Sequence, residues 1–141
     1  MRVILMLLLI VVSSSAMAEW VEIGEDKEET YTVYADPDTI LKTGNIVKMW
    51  SLLDYRMDKD NGVTSVRGKG EHDCKEKKSR IPFVVSYSEH MGGGETVETH
   101  IEPEPSWQQP PAGSVAEAVL EFACAFHPTE MPETFPEETF S

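Results

Sequence analysis

The chain has 141 residues and a formal net charge of −13, with 25 acidic residues against 12 Lys and Arg. This length fits one domain with a single core, and an aromatic content of 9% is too high for a wholly disordered acidic chain. The acidic excess argues against nucleic acid and anionic membranes as partners, because both bind clustered Lys and Arg.

The first segment has the three-part pattern of a secretory signal peptide. Arg2 supplies a positive start, residues 3–12 are an unbroken apolar run, and an A-x-A cleavage site ends at Ala18. The apolar run is about half as long as a transmembrane helix requires. We therefore expect residues 1–18 to be removed during export through the inner membrane. The mature protein is expected to be periplasmic or secreted, with no membrane span and no lipid anchor.

Alternating apolar residues predict a series of strands in the mature chain. The predicted strands cover residues 20–23, 31–35, 46–55, 63–70, 83–88 and 95–101. Residues 46–55 are apolar on both pleat faces, which indicates a central strand covered on both sides. The Asp-Pro-Asp segment at 36–38 predicts a break, and Asn61-Gly62 predicts a hairpin turn. The connections are short, so the sheet is expected to be antiparallel.

A helical period replaces the strand period after the Pro-rich segment 103–111. Ser114 and Glu117 have the spacing of a capping box, and residues 115–126 follow at helical spacing. One apolar stripe is formed by Val115, Val119, Phe122 and Phe126. The sequence therefore predicts an α+β fold over residues 19–126, with five or six antiparallel strands and one C-terminal helix. Residues 127–141 are acidic and Pro-rich, which predicts a disordered tail.

Cys74 and Cys124 are the two cysteines of the chain. In an exported protein an even pair predicts a structural disulfide. A zinc site would need further ligands, and a redox pair is usually spaced C-x-x-C, which is absent. Cys124 lies at the margin of the helix's apolar face, so a helix packed on the sheet could bring it to Cys74.

No arrangement of side chains in the sequence indicates a catalytic site or a cofactor site. His72, His90 and His100 match no compact metal-ligand spacing, and solvated histidines are the favoured interpretation. The Gly run at 92–94 lacks the Lys-Ser/Thr of a phosphate loop. One local reversal of charge stands out, formed by Lys75, Lys77, Lys78 and Arg80. It is either a solvated turn or a patch that binds an acidic partner.

Several short motifs occur together in one order. They are Tyr34-Ala-Asp36-Pro37, Thr39-Ile40, Gly44, Val47-Lys48-Met49-Trp50, Leu53-Asp54-Tyr55, Glu71-His-Asp73-Cys74, Arg80, Tyr87, Met91-Gly92, Trp107, Pro111-Ala-Gly113-Ser114 and Cys124. This ordered set resembles the surface-adhesin protein E family over residues 20–124. The resemblance implies a twisted antiparallel sheet with a C-terminal helix tied to it by a disulfide. It also implies binding to extracellular-matrix or serum proteins such as laminin, vitronectin and plasminogen.

Three functions follow from these patterns. The first is an exported, non-enzymatic protein-binding module, and the second is a periplasmic or envelope-associated structural domain with no host ligand. The third, a small hydrolase or metal protein, has the least support. An exposed edge strand, or the strand at Trp20, is also expected to be able to pair in a homodimer.

Overall fold

The computed structural model describes residues 19–28, 30–57 and 61–126. The predicted signal peptide, 1–18, and the predicted acidic tail, 127–141, lie outside these residues. Within the described part of the chain, no helix is long and apolar enough to cross a membrane.

Six strands form one antiparallel sheet in chain order, and one helix follows them. The elements are β1 (Val21–Glu25), β2 (Tyr31–Thr43), β3 (Ile46–Tyr55), β4 (Ser65–Asp73), β5 (Lys78–Tyr87), a 3-10 turn (His90–Gly92), β6 (Thr96–Ile101) and α1 (Val115–Ala125). This arrangement confirms the predicted α+β fold. The central strand β3 has the predicted bounds, and it buries Met49 on one face and Leu52 on the other.

The Asp-Pro-Asp segment at 36–38 does not end the second strand. β2 continues to Thr43, and an irregularity in its pairing with β3 follows Asp36. The Thr39 hydroxyl accepts a hydrogen bond from Trp50 N at 2.9 Å and donates to Asp36 O at 2.6 Å. The Thr39 hydroxyl therefore provides a hydrogen-bond partner for the Trp50 amide of β3 at the bulge in β2. This allows β2 to continue beyond Pro37.

Helix α1 packs on one face of the sheet, which we call the helix face. The core there consists of Ala35, Val47, Met49 and Ala123. Ser114 Oγ accepts from Glu117 N at 3.1 Å, and Glu117 Oε1 accepts from Gly113 N at 3.1 Å. These bonds cap the start of the helix as the sequence predicts. Phe126 lies just beyond the last turn and is 39% exposed, so the predicted stripe ends earlier than expected.

The predicted disulfide is confirmed. Cys74 follows β4 and Cys124 lies in the last turn of α1, with their Cα atoms 5.6 Å apart and the sulfurs bonded. Cys74 N also donates to Asn45 O at 2.9 Å, which fixes the sheet side of the bond. The disulfide therefore ties the end of the helix to one end of the sheet.

A short loop covers part of the opposite face, which we call the open face. Ser65 Oγ donates to Glu89 O at 2.6 Å and accepts from Gly92 N at 2.9 Å. Met91 N donates to Asp54 Oδ1 at 2.9 Å. These bonds hold the 3-10 turn over the end of β3, where Leu52 is fully buried.

Candidate binding surface

The β4–β5 turn presents three of the four residues of the predicted basic patch. Asp73 Oδ1 accepts hydrogen bonds from Lys75 N and Glu76 N, both at 3.0 Å. Lys77 has a φ of 56°, which completes the tight turn into β5. Lys75, Lys77 and Lys78 are all exposed. The backbone of the turn is thus held by Asp73, while its ammonium groups face solvent.

Arg80, the fourth residue of that patch, is engaged within the fold. Its Nε donates to Glu71 Oε1 at 3.2 Å, and its guanidinium carbon lies 4.2 Å from the centre of the Trp107 ring. Backbone bonds of 2.8 and 2.9 Å between Ser79 and Gln108 hold the Trp107 segment beside β5. Arg80 is therefore a fixed, half-buried cation, unlike the three lysines before it.

Strand register brings more cations and aromatic rings beside Arg80. Lys48 on β3 is opposite Glu71 on β4, which is opposite Arg80 on β5. In the next row, Lys69 lies between Trp50 and Phe83. We call this set the basic–aromatic surface; it comprises Lys48, Trp50, Arg67, Lys69, Lys78, Arg80, Phe83 and Trp107. It lies on the open face of a chain whose net charge is strongly negative.

Ring contacts set the geometry of this surface. The guanidinium carbon of Arg67 lies 4.4 Å from the centre of the Trp50 ring and 5.9 Å from that of Tyr87. Phe83 meets Trp50 edge to face, with the ring centres 5.7 Å apart. Such cation–π and edge-to-face contacts favour one orientation of each ring. The surface is therefore ordered before any partner arrives.

The open face carries a shallow cleft of about 540 Å³, which is within the size range of small-molecule pockets. It is lined by Lys48, Trp50, Lys69, Glu71, Pro82, Phe83, Ile101, Glu102 and Pro103. Two ammonium groups and two carboxylates lie beside two aromatic rings in this lining, so the formal charges of the cleft cancel.

Sequence reasoning missed Lys48, Trp50, Arg67 and Lys69 as members of one surface. The available signal was their alternation along β3 and β4, which assigns each residue to a face of its own strand. Alternation does not say which residues of two strands lie opposite each other. That pairing is visible only in the structure.

The sequence predicts that His72, His90 and His100 are solvated, and for His72 this prediction is wrong. His72 is 4% exposed, because it pairs across strands with Val47 on the helix face. Burial lowers the pKa of its imidazole to about 4, outweighing the opposite effect of Glu71. His90 lies 3.1 Å from Asp54, and His100 lies 3.8 Å from Glu102, both largely exposed. Among the described residues, no three His, Cys, Asp or Glu side chains group to hold a metal ion.

Comparison with known proteins identifies a family and a shared fold. The profile of the family described as surface-adhesin protein E matches residues 20–125. Protein E from non-typeable Haemophilus influenzae is similar in structure, with a TM-score of 0.59, 12% identity, and coverage of 79% of each chain. Crystal form II of Haemophilus influenzae protein E gives a TM-score of 0.54 and 14% identity, covering 77% of this chain and 89% of that one. The search of curated proteins gave no significant match.

Proposed function

Because the chain belongs to the surface-adhesin protein E family, we propose that it is an exported, non-enzymatic module that binds extracellular-matrix or serum proteins. Its disulfide is typical of proteins that fold in an oxidising compartment. The observation that carries the proposal is the basic–aromatic surface, together with the lysines of the adjoining β4–β5 turn. Arg and aromatic residues are enriched where proteins bind one another.

The charge of this surface favours an acidic segment of the partner. Lys75, Lys77 and Lys78 project from the turn, and Arg80 continues the positive charge onto the open face. At physiological ionic strength, charges are screened beyond about 8 Å. The partner's acidic groups therefore interact with these local cations more than with the distant acidic regions of the chain. Binding is expected to weaken as salt rises.

Binding to immobilised laminin, vitronectin and plasminogen tests the proposal. The mature chain should bind at least one of them saturably at 50 mM NaCl. Its affinity should be about threefold lower, or lower still, at 300 mM NaCl, because salt screens the attraction between charged groups. Replacing Lys75, Lys77 and Lys78 together by Glu should lower affinity about tenfold or more. The control replaces Lys27 and Lys42 by Glu, two exposed lysines that belong neither to this surface nor to the turn, and should change affinity by less than about twofold.

Two results would contradict the proposal. One is the absence of saturable, salt-sensitive binding to all three proteins. The other is equal loss of binding in the turn variant and the control variant. Fractionation adds an independent test, because protein confined to the periplasm of intact cells favours the alternative, an envelope-associated domain with no host ligand.

We also propose that the chain can form a homodimer through β6. This strand is at one edge of the sheet, and all six of its residues are exposed. Unpaired edge strands can pair with a second copy of the same chain. Light scattering after size-exclusion chromatography should show a dimer, and Thr99→Pro should convert it to a monomer. A monomer at all accessible concentrations would exclude this pairing.

A further inference from the structure

The described part of the chain ends close to the β4–β5 turn. Cys124 lies in the last turn of α1 and is bonded to Cys74, with the Cα atoms 5.6 Å apart. Phe126 follows Cys124 by two residues, and Lys75 follows Cys74 directly. Because one residue spans at most about 3.8 Å, the Cα atoms of Phe126 and Lys75 lie within about 17 Å of each other. The disulfide therefore holds the start of the acidic tail, residues 127–141, near the turn.

The tail and the turn carry opposite charges. Residues 127–141 contain no Lys or Arg and four glutamates, which are Glu130, Glu133, Glu137 and Glu138. Residues 73–80 contain four basic residues and two acidic ones. Lys75, Lys77 and Lys78 are exposed, and none of them forms an ion pair with another residue that the structure describes. Their ammonium groups are therefore available to the glutamates of the tail.

Other cations near the turn already have acidic neighbours. Arg80 pairs with Glu71 at 3.2 Å. Lys48 and Lys69 line a cleft that also contains Glu71 and Glu102. The positive charge of the turn is therefore better suited to an acidic segment than that of the neighbouring open face.

We propose that the acidic tail docks on the β4–β5 turn of its own chain, with its glutamates against Lys75, Lys77 and Lys78. The tail has 15 residues, which can extend over about 50 Å and can therefore reach all three lysines. A segment tethered near its site has an effective concentration in the millimolar range. One exposed ion pair contributes at most about 1 kcal/mol, but tethering allows several such pairs to hold the tail in place.

The contact goes beyond the proposed function and does not depend on it. An acidic partner that uses the same lysines would have to displace the tail, so the tail would lower the apparent affinity of the turn for that partner. The tail is thus an internal competitor, and salt should weaken it.

¹H–¹⁵N NMR of residues 19–141 tests the contact from the side of the turn. Replacing the four tail glutamates by Gln should shift the amides of Lys75, Glu76 and Lys77 at 50 mM NaCl. The shift should be about threefold smaller, or smaller still, at 300 mM NaCl, because salt screens the attraction. The matched control should leave these amides unchanged. It replaces by Gln four exposed glutamates outside the tail and the turn, which are Glu22, Glu28, Glu95 and Glu98.

A reciprocal experiment reads the amides of the tail. Lys75→Glu should shift the amides of residues 130–138, whereas Lys27→Glu, the same swap at an exposed lysine outside the turn, should not. The proposal is overturned if the turn amides are the same in the unsubstituted chain and the tail variant, or if either control acts as strongly as its test variant. Shifts that grow with protein concentration would assign the tail to a second copy of the chain and would overturn docking within one chain.

Discussion

The guanidinium of Arg67 lies over the ring of Trp50, 4.4 Å from its centre, in a diagonal contact between strands β4 and β3. Phe83 on β5 meets the same indole edge to face. Three neighbouring strands are therefore linked through one aromatic side chain on the open face. This contact fixes the orientation of Trp50, the central ring of the basic–aromatic surface.

Replacing Arg67 by Lys should weaken this link while keeping the charge. A Lys ammonium cannot stack as a planar guanidinium does, so the free energy of unfolding should fall by about 1 kcal/mol. Urea unfolding followed by tryptophan fluorescence measures the change. Lys69→Arg, a swap at an exposed position in the adjoining row, is the control and should leave stability nearly unchanged. Equal effects of both swaps would show that the Arg67 stack contributes nothing.

Removing the disulfide should destabilise the fold strongly. Cys74 and Cys124 are 50 residues apart in sequence, and in the chain-entropy model a loop of this size contributes about 4 kcal/mol. The double variant Cys74→Ala/Cys124→Ala should therefore unfold at much lower urea concentration. Intact mass spectrometry of the unsubstituted protein should show two hydrogens fewer than the reduced form. Detection of two free thiols in protein produced in an oxidising compartment would contradict the bond.

Stability should fall as the pH drops from 7 to 5, partly because of His72. In the unfolded chain this imidazole takes up a proton near pH 6.5, whereas in the folded protein its pKa is about 4. The unfolded state therefore binds more protons between these values, and acidification favours it. The expected loss from this residue is about 2 kcal/mol between pH 7 and pH 5.

Variants separate this effect from other titrations. His72→Phe should flatten the dependence of unfolding free energy on pH between 7 and 5, whereas His100→Phe, at a largely exposed position, should leave it unchanged. The measurement is urea unfolding at each pH. An unchanged slope in His72→Phe would mean that the imidazole is not buried as the structure has it.

Ser65→Ala should release the loop that covers the end of the open face. The hydroxyl is fully buried and bonds both Glu89 O and Gly92 N, so its loss leaves two backbone groups without their partner. A cost of about 1–3 kcal/mol is expected. Hydrogen exchange at the amides of residues 88–94 should accelerate more than exchange in β3. The exposed Ser106→Ala is the control, and equal exchange in both variants would contradict this role.

Much of the fold was predictable because its signals are local. The strand period of residues 46–55, the Ser114–Glu117 cap and the cysteine pair all depend on residues close in sequence or on residue type. The bulge in β2 was not predictable, since it depends on a hydroxyl at Thr39 reaching a backbone amide on another strand. The candidate surface was predictable only in part, through the lysines of the β4–β5 turn.

The amino-acid sequence by itself determined the strand and helix periods, the acidic balance with one basic turn, and the two residues that form the disulfide. The tertiary structure alone decided which side chains meet across strands. Cross-strand register placed Arg67 against Trp50, Arg80 opposite Glu71, and His72 opposite Val47 on the buried helix face. A shift of one residue in that register would exchange the two faces of a strand, and the register depends on turn geometry and on contacts between strands as well as on the alternation within each strand.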